Sequence, residues 1–188
     1  MTVALHDLTD GAPTIEPVIG GLADVYGPVF SRRGYLLFSD LQARRIMKWE
    51  DRQLTAYRTD SNGATGLSFD HDGRLLACEA TRVTRTEKDE GITVLVPKLI
   101  APADIVYSID GSIYFTDRAA VYLISPKGTV RPTSQQYQRP HGIALSPNQR
   151  KIYISDAISQ NVLVHDVLAN GSLGEGRVFA TVAGAPAG

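Results

Sequence analysis

The chain has 188 residues, with 19 Lys and Arg against 20 Asp and Glu, so its formal net charge is −1. This balance excludes the basic field of a nucleic-acid-binding protein and the polybasic stripe of an anionic-membrane binder. The single cysteine, Cys78, excludes an internal disulfide, and no apolar run approaches the ~20 residues that cross a bilayer. The composition therefore predicts a folded, cytoplasmic protein without nucleic-acid or membrane partners.

Four copies of one sequence unit follow each other along the chain. In each copy a short apolar run, a turn and a second apolar run end in an acid, and these acids stand 39, 38 and 39 residues apart. They are Asp40, Glu79, Asp117 and Asp156. The runs are rich in Ile, Val, Tyr and Phe and too short for helices. Four short antiparallel strands every ~40 residues are typical of a β-propeller blade, so an all-β propeller with four blades is predicted.

The predicted strands recur in the same order in every unit. The first strands are predicted at Gly27–Phe30, Gly66–Phe69, Asp104–Tyr107 and Gly142–Leu145. The second strands are predicted at Leu36–Asp40, Leu75–Glu79, Ile113–Asp117 and Ile152–Asp156. The third are predicted at Arg45–Trp49, Arg82–Thr86, Ala120–Ile124 and Asn161–His165, and the fourth at Leu54–Arg58, Ile92–Val96, Thr129–Pro132 and Arg177–Thr181. Thr14–Ile19 is predicted as one more strand, which places a tail at 1–13 and the blades at about 14–60, 61–98, 99–136 and 137–182.

Several of these motifs resemble the gluconolactonase/regucalcin (senescence-marker-protein) family of six-bladed propellers. The resemblance rests on Gly27-Pro28-Val29-Phe30, on Asp110–Asp117 and on Pro140-His141-Gly142-Ile143, among others. It implies a hydrolase that acts on lactone or ester bonds of small molecules. Because the family has six blades, either the ring closes with fewer blades here, or a second chain or missing C-terminal blades complete it.

The resemblance also implies one divalent metal, such as Ca²⁺ or Zn²⁺, on the propeller axis, with its ligands at the start of each blade's innermost strand. The family's carboxylate and asparagine ligands are replaced here by Tyr26, Thr65, Ala103 and His141. Calcium prefers six to eight oxygens, usually including a carboxylate, and imidazole suits zinc or copper better. We therefore expect a degenerate metal site and no cofactor. The short connection at Asp117–Val121, where family members often carry a long excursion, predicts a more open axial pocket.

The four replaced positions are predicted to line one mouth of the propeller axis. His141 has an ordinary pKa suited to acid–base catalysis, Tyr26 can donate a hydrogen bond to an oxyanion, and Asp104 can orient His141. Thr65 and Arg139 are predicted to bind the substrate. Three alternatives stay open: a plug of satisfied hydrogen bonds, a non-catalytic propeller that binds a small molecule or protein, and a metal-independent enzyme of another reaction type that uses Tyr26 and His141. The recurring strand-end acids are predicted to be structural, because they repeat in every blade.

Overall fold

The computed structural model describes residues 16–22, 24–118, 120–133, 135–184 and 186. Within these ranges, sixteen strands form four antiparallel sheets of four strands each, here called blades 1 to 4. The same ranges contain no helix of the length and apolarity needed to cross a membrane. The predicted all-β class and the four repeated units are confirmed.

Each blade is a simple up-and-down sheet whose strands pair in chain order. Blade 1 contains β1 (Val25–Phe30), β2 (Leu36–Asp40), β3 (Arg45–Glu50) and β4 (Gln53–Arg58). Blade 2 contains β5 (Leu67–Phe69), β6 (Leu75–Glu79), β7 (Arg82–Thr86) and β8 (Ile92–Val96). Blade 3 contains β9 (Pro102–Tyr107), β10 (Ile113–Asp117), β11 (Ala120–Ile124) and β12 (Val130–Pro132). Blade 4 contains β13 (Pro140–Leu145), β14 (Lys151–Asp156), β15 (Asn161–Asp166) and β16 (Arg177–Thr181).

The predicted N-terminal strand is not found in the part that the structure describes. Residues 16–19 have no regular secondary structure, and Thr14 and Ile15 lie outside the described residues. Pro17 has no N–H to donate to a sheet, and Gly20 and Gly21 follow directly, so this segment is a poor partner for a central strand.

The hydrophobic core is divided into layers between successive blades. One cluster joins blades 1 and 2, a second joins blades 2 and 3, and a third joins blades 3 and 4. The alternation along β10 shows how one strand serves two layers: Ile113 and Phe115 pack toward blade 2, whereas Tyr114 packs toward blade 4. Because successive side chains of a strand point to opposite faces, a strand between two blades is apolar on both faces. This explains why β6 and β10 are buried along their whole length.

Candidate functional site

Bulges in the first strands of blades 3 and 4 bring their axial residues out of the regular ladder. In β13 the pairing passes from Ile143 with Ile154 to Pro140 with Asp156, so two residues, His141 and Gly142, stand against one. β9 has the same irregularity at Ala103 and Asp104, and β1 at Gly27 and Pro28. A bulge bends a strand and re-aims its side chains. The same local device therefore displays Ala103 in blade 3 and His141 in blade 4. In contrast, Tyr26 stays paired with Ser39, and Thr65 precedes β5.

Glycine lets the blades approach closely at this end. A Cβ on Gly27, whose φ is +55°, would overlap the carbonyl oxygen of Thr65. A Cβ on Gly66 would overlap Asp104. Blade 3 has Asp104 at the corresponding position, and its side chain reaches blade 4 instead. The sequence repeat is thus broken at the joint between blades 3 and 4.

The four predicted ring residues and Asp104 converge in the structure. Tyr26, Thr65, Ala103, Asp104 and His141 all line one cavity of about 400 Å³. These side chains come from all four blades, as the repeat predicted. Tyr26, Thr65, Ala103, Asp104 and His141 are each partly buried, so each retains access to a ligand in the cavity.

A second, larger cavity of about 630 Å³ lies beside the first and shares three of its residues, Thr65, Ala103 and His141. Arg139, predicted as a substrate contact, lines this cavity and not the one that contains Tyr26. Arg118 lines the same cavity and was missed in the sequence analysis. The signal that would have found it is the short connection after β10, which leaves Arg118 at the rim of the axial mouth.

Blades 1, 2 and 3 each donate a hydrogen bond to the main-chain carbonyl of the axial residue in the following blade. The Ser39 hydroxyl donates to the carbonyl of Thr65 (3.1 Å), and the Gly66 N–H donates to the carbonyl of Ala103 (2.8 Å). The Thr116 hydroxyl donates to the carbonyl of His141 (2.7 Å). Ser39 and Thr116 occupy the same position in their repeats, directly before the strand-end acid. The backbone of the site is therefore fixed by neighbouring blades.

Asp104 joins blades 3 and 4 through two main-chain donors. Its carboxylate oxygens accept the N–H groups of Ile105 and Ile143, each at 2.9 Å. Burial raises the pKa of Asp104 to about 6, although the N–H groups of Ile143 and Ile105 act in the opposite direction. Asp104 thus contacts the main chain of β13 at Ile143, two residues after His141, and its orienting of the imidazole stays a prediction.

The environment of His141 favours the neutral form of its imidazole near pH 7. Burial lowers the pKa of the imidazole, and the positive charge of Arg139 lowers it further. An imidazole with a lowered pKa is unprotonated at neutral pH and can accept a proton. The Thr65 hydroxyl is less available to a ligand, because it lies 3.3 Å from the carbonyl oxygen of Pro102 and donates to it.

The strand-end acids bind main-chain and arginine donors instead of facing the axis. Glu79 is fully buried and pairs with Arg58 and Arg82. Asp117 accepts the N–H groups of Ile100 and Ala101, which lead into β9. The other two acids are engaged in the same way: Asp40 binds Arg45, and Asp156 accepts the N–H groups of Gln138, Arg139, Ile158 and Ser159. These contacts agree with a structural role.

The donors around the axis do not fit a calcium ion. In the described ranges no group of three or more His, Cys, Asp or Glu side chains is arranged to hold a metal. Ala103 offers no side-chain donor, and both oxygens of Asp104 already accept N–H groups. Tyr26 and His141 provide a phenol and an imidazole, whereas calcium needs several oxygens with a carboxylate among them.

Comparison with known proteins identifies relatives with named activities. A curated gluconolactonase of Zymomonas mobilis is 27% identical over 89% of this chain and 59% of its own length. A lactonase of Staphylococcus haemolyticus is 23% identical over 72% of this chain and 49% of its own. The chain therefore spans about half to three fifths of the length of these curated relatives.

The fold is shared with solved structures. A gluconolactonase of Xanthomonas campestris superimposes with a TM-score of 0.81 at 25% identity, over 88% of this chain and 65% of that one. Residues 26–187 match the sequence model described as the SMP-30/Gluconolactonase/LRE-like region. This match covers all four sheets, from β1 to β16. The chain belongs to the SMP-30/gluconolactonase/LRE-like family, and its four sheets are β-propeller blades.

Proposed function

We propose that the chain carries the axial site of a small-molecule hydrolase that opens lactone or ester bonds without a calcium ion. The observation that carries the proposal is the convergence of Tyr26 and His141 in one cavity of about 400 Å³. Family membership supports lactone chemistry, since relatives are named as gluconolactonase and lactonase.

In this proposal His141 activates water. Its lowered pKa leaves the imidazole neutral, so it takes a proton from water as the oxygen attacks the lactone carbonyl carbon. The carbon–oxygen bond of the ring then breaks, and the departing ring oxygen receives the proton from the imidazolium. One water is consumed, and the product is a hydroxy acid.

Tyr26 is proposed as the donor to the oxyanion. A phenol O–H aimed at the position where negative charge develops stabilises the transition state more than the substrate. Thr65, which lines both cavities, is proposed to contact the substrate. Asp104 acts as a positioning residue, because its contacts hold the main chain of Ile105 and Ile143.

The test compares hydrolysis by the chain and by two variants, His141→Ala and Tyr26→Phe. Glucono-δ-lactone and a panel of γ-lactones, δ-lactones and aryl esters are offered, each with EDTA and with added Ca²⁺ or Zn²⁺. We expect turnover that persists in EDTA, falls by about 10²- to 10⁴-fold in His141→Ala, and falls less in Tyr26→Phe. Turnover that requires Ca²⁺, or that survives His141→Ala in a folded protein, contradicts the proposal.

A second candidate is a non-catalytic propeller that binds a small molecule. The hydroxyl of Thr65 is engaged by Pro102 and the carboxylate of Asp104 by main-chain N–H groups, which leaves few groups free for chemistry. Absence of turnover over the whole panel, together with saturable binding of a ligand that His141→Ala abolishes, favours this candidate.

A further inference from the structure

The larger axial cavity is lined by positive charge alone. Its walls contain two arginines, Arg118 and Arg139, and no acidic side chain. Resting on the proposed function, we propose that this cavity binds an anionic ligand, a carboxylate or phosphate group on the molecule whose reactive bond lies at His141. A guanidinium presents a planar fork of N–H donors that matches either group in a bidentate manner.

Among the described residues, the two arginines of the cavity keep their charge uncompensated by a carboxylate, unlike five arginines elsewhere in the chain. Arg45, Arg58, Arg74, Arg82 and Arg85 all form ion pairs with Asp or Glu. Within the part of the chain that the structure describes, Arg118 and Arg139 form none, and both are exposed. Since the whole chain has a net charge of −1, these two charges are a local feature and not part of a generally basic surface.

The segments that carry the two arginines are held in place. The Asp156 carboxylate accepts the main-chain N–H of Arg139 at 3.2 Å and that of Gln138 at 2.7 Å. Arg118 directly follows Asp117, which accepts the N–H groups of Ile100 and Ala101. Each guanidinium therefore starts from a fixed point on the rim, which reduces the entropy lost when a ligand binds.

The cavity is continuous with the reactive end of the site. Thr65, Ala103 and His141 line both cavities, and the charge of Arg139 is felt at the imidazole, where it lowers the pKa. A volume of about 630 Å³ accommodates a sugar-acid-sized molecule. One ligand would thus place its scissile carbonyl near Tyr26 and His141 and its anionic group near Arg118 and Arg139.

Binding is tested without turnover, by titration calorimetry with three probes: glucitol, gluconate and glucitol 6-phosphate. The variants are Arg118→Gln and Arg139→Gln, with Arg150→Gln as a matched control. Arg150 is exposed, lies in the turn at the opposite end of β13 and lines neither cavity. We expect at least one anionic probe to bind more tightly than glucitol, and each cavity variant to weaken that probe roughly tenfold. The gluconate and phosphate arms show which anion is preferred. Equal affinity for glucitol and both anions, or anion binding that is insensitive to both substitutions, overturns the proposal.

Kinetics distinguish this inference from the proposed function. With glucono-δ-lactone and its 6-phosphate as substrates, we expect the two cavity variants to raise KM for the phosphorylated lactone more than KM for the neutral lactone, a difference that Arg150→Gln should not produce. An equal rise in KM for the two lactones shows that the arginines do not recognise the anionic group and overturns the inference. If no lactone is hydrolysed but arginine-dependent anion binding is measured, the hydrolase proposal fails while the anionic ligand class stands.

Discussion

Two positions of the repeat unit behave differently, although both recur in every blade and antiparallel pairing places them side by side. At the end of the second strand each blade has an acid, and each acid binds main-chain or arginine donors. At the axial position the four blades carry four different residues, Tyr26, Thr65, Ala103 and His141, which converge in one cavity. A residue kept in every copy serves the architecture that every copy needs. A residue that differs between copies is free to serve a ligand.

Among the strand-end acids, substitution of Glu79 should cause the largest loss of stability. Glu79→Ala leaves the guanidinium groups of Arg58 and Arg82 without their carboxylate partner, and the Arg58 side chain is only 13% exposed. Loss of one partner of a buried pair costs about 3–5 kcal/mol, and urea unfolding measures it. Asp166→Ala, which removes an exposed partner of Lys151, is the control and should leave the transition midpoint unchanged. An unchanged midpoint in Glu79→Ala contradicts a structural role for the repeated acids.

Substitution of Asp156 tests whether a strand-end acid also supports the axial residue of its blade. Burial acts to raise the pKa of Asp156, but four main-chain N–H groups outweigh it and the net pKa is lowered. A lowered pKa means that its stabilising contribution is present above pH ~4 and is lost as the pH falls through the folded-state pKa. Asp156→Ala should lower the free energy of unfolding at pH 7 by about 2–3 kcal/mol.

The same substitution should reduce lactone turnover, because Asp156 holds the main chain just before His141. Asp156→Asn retains one acceptor oxygen and should be milder in both assays. Full turnover in a destabilised Asp156→Ala protein would show that the strand-end acid stabilises the fold without supporting the axial site.

Asp104 lies beside the axial residue of blade 3, and its contribution to stability should depend on pH in the opposite sense to that of Asp156. Its pKa is raised to about 6, so the folded protein binds the proton more tightly than the unfolded chain does. The contribution of Asp104 to the free energy of unfolding should therefore fall as the pH rises from ~4 to ~6, by about 1–2 kcal/mol. Asp104→Asn should remove this fall, whereas the exposed control Asp51→Asn should keep it. Denaturant unfolding at pH 4, 5, 6 and 7 measures the difference, and an identical pH profile in Asp104→Asn contradicts the assignment.

The smallest expected effect concerns the electrostatic coupling of Arg139 and His141. The charge of Arg139 is the second cause of the lowered imidazole pKa, after burial. Arg139→Gln should therefore move the acidic limb of the kcat/KM profile to higher pH, while Arg150→Gln should not. A limb that stays in place shows that the two groups do not interact in solution.

The strands were predictable because hydrophobic alternation and turn residues act locally. The sixteen described strands lie where the runs and the Gly-containing turns placed them. The convergence of the axial residues also followed, since a radial repeat brings equivalent positions together. The contacts between blades did not follow from local patterns. No motif indicates that Arg58 of blade 1 pairs with Glu79 of blade 2, or that the Asp104 carboxylate reaches the N–H of Ile143.

The carbonyl contacts of Thr65, Ala103 and His141 link each axial residue to the neighbouring blade. Each of these carbonyls accepts a hydrogen bond from the preceding blade: from Ser39, Gly66 and Thr116 respectively. Local opening of one blade thus releases the ligand-facing residue of the blade that follows it. In amide hydrogen exchange, Thr116→Val in blade 3 should hasten exchange around His141 in blade 4. Loosening blade 4 should leave the protection of Thr65 in blade 2 intact, because these hydrogen bonds link only successive blades.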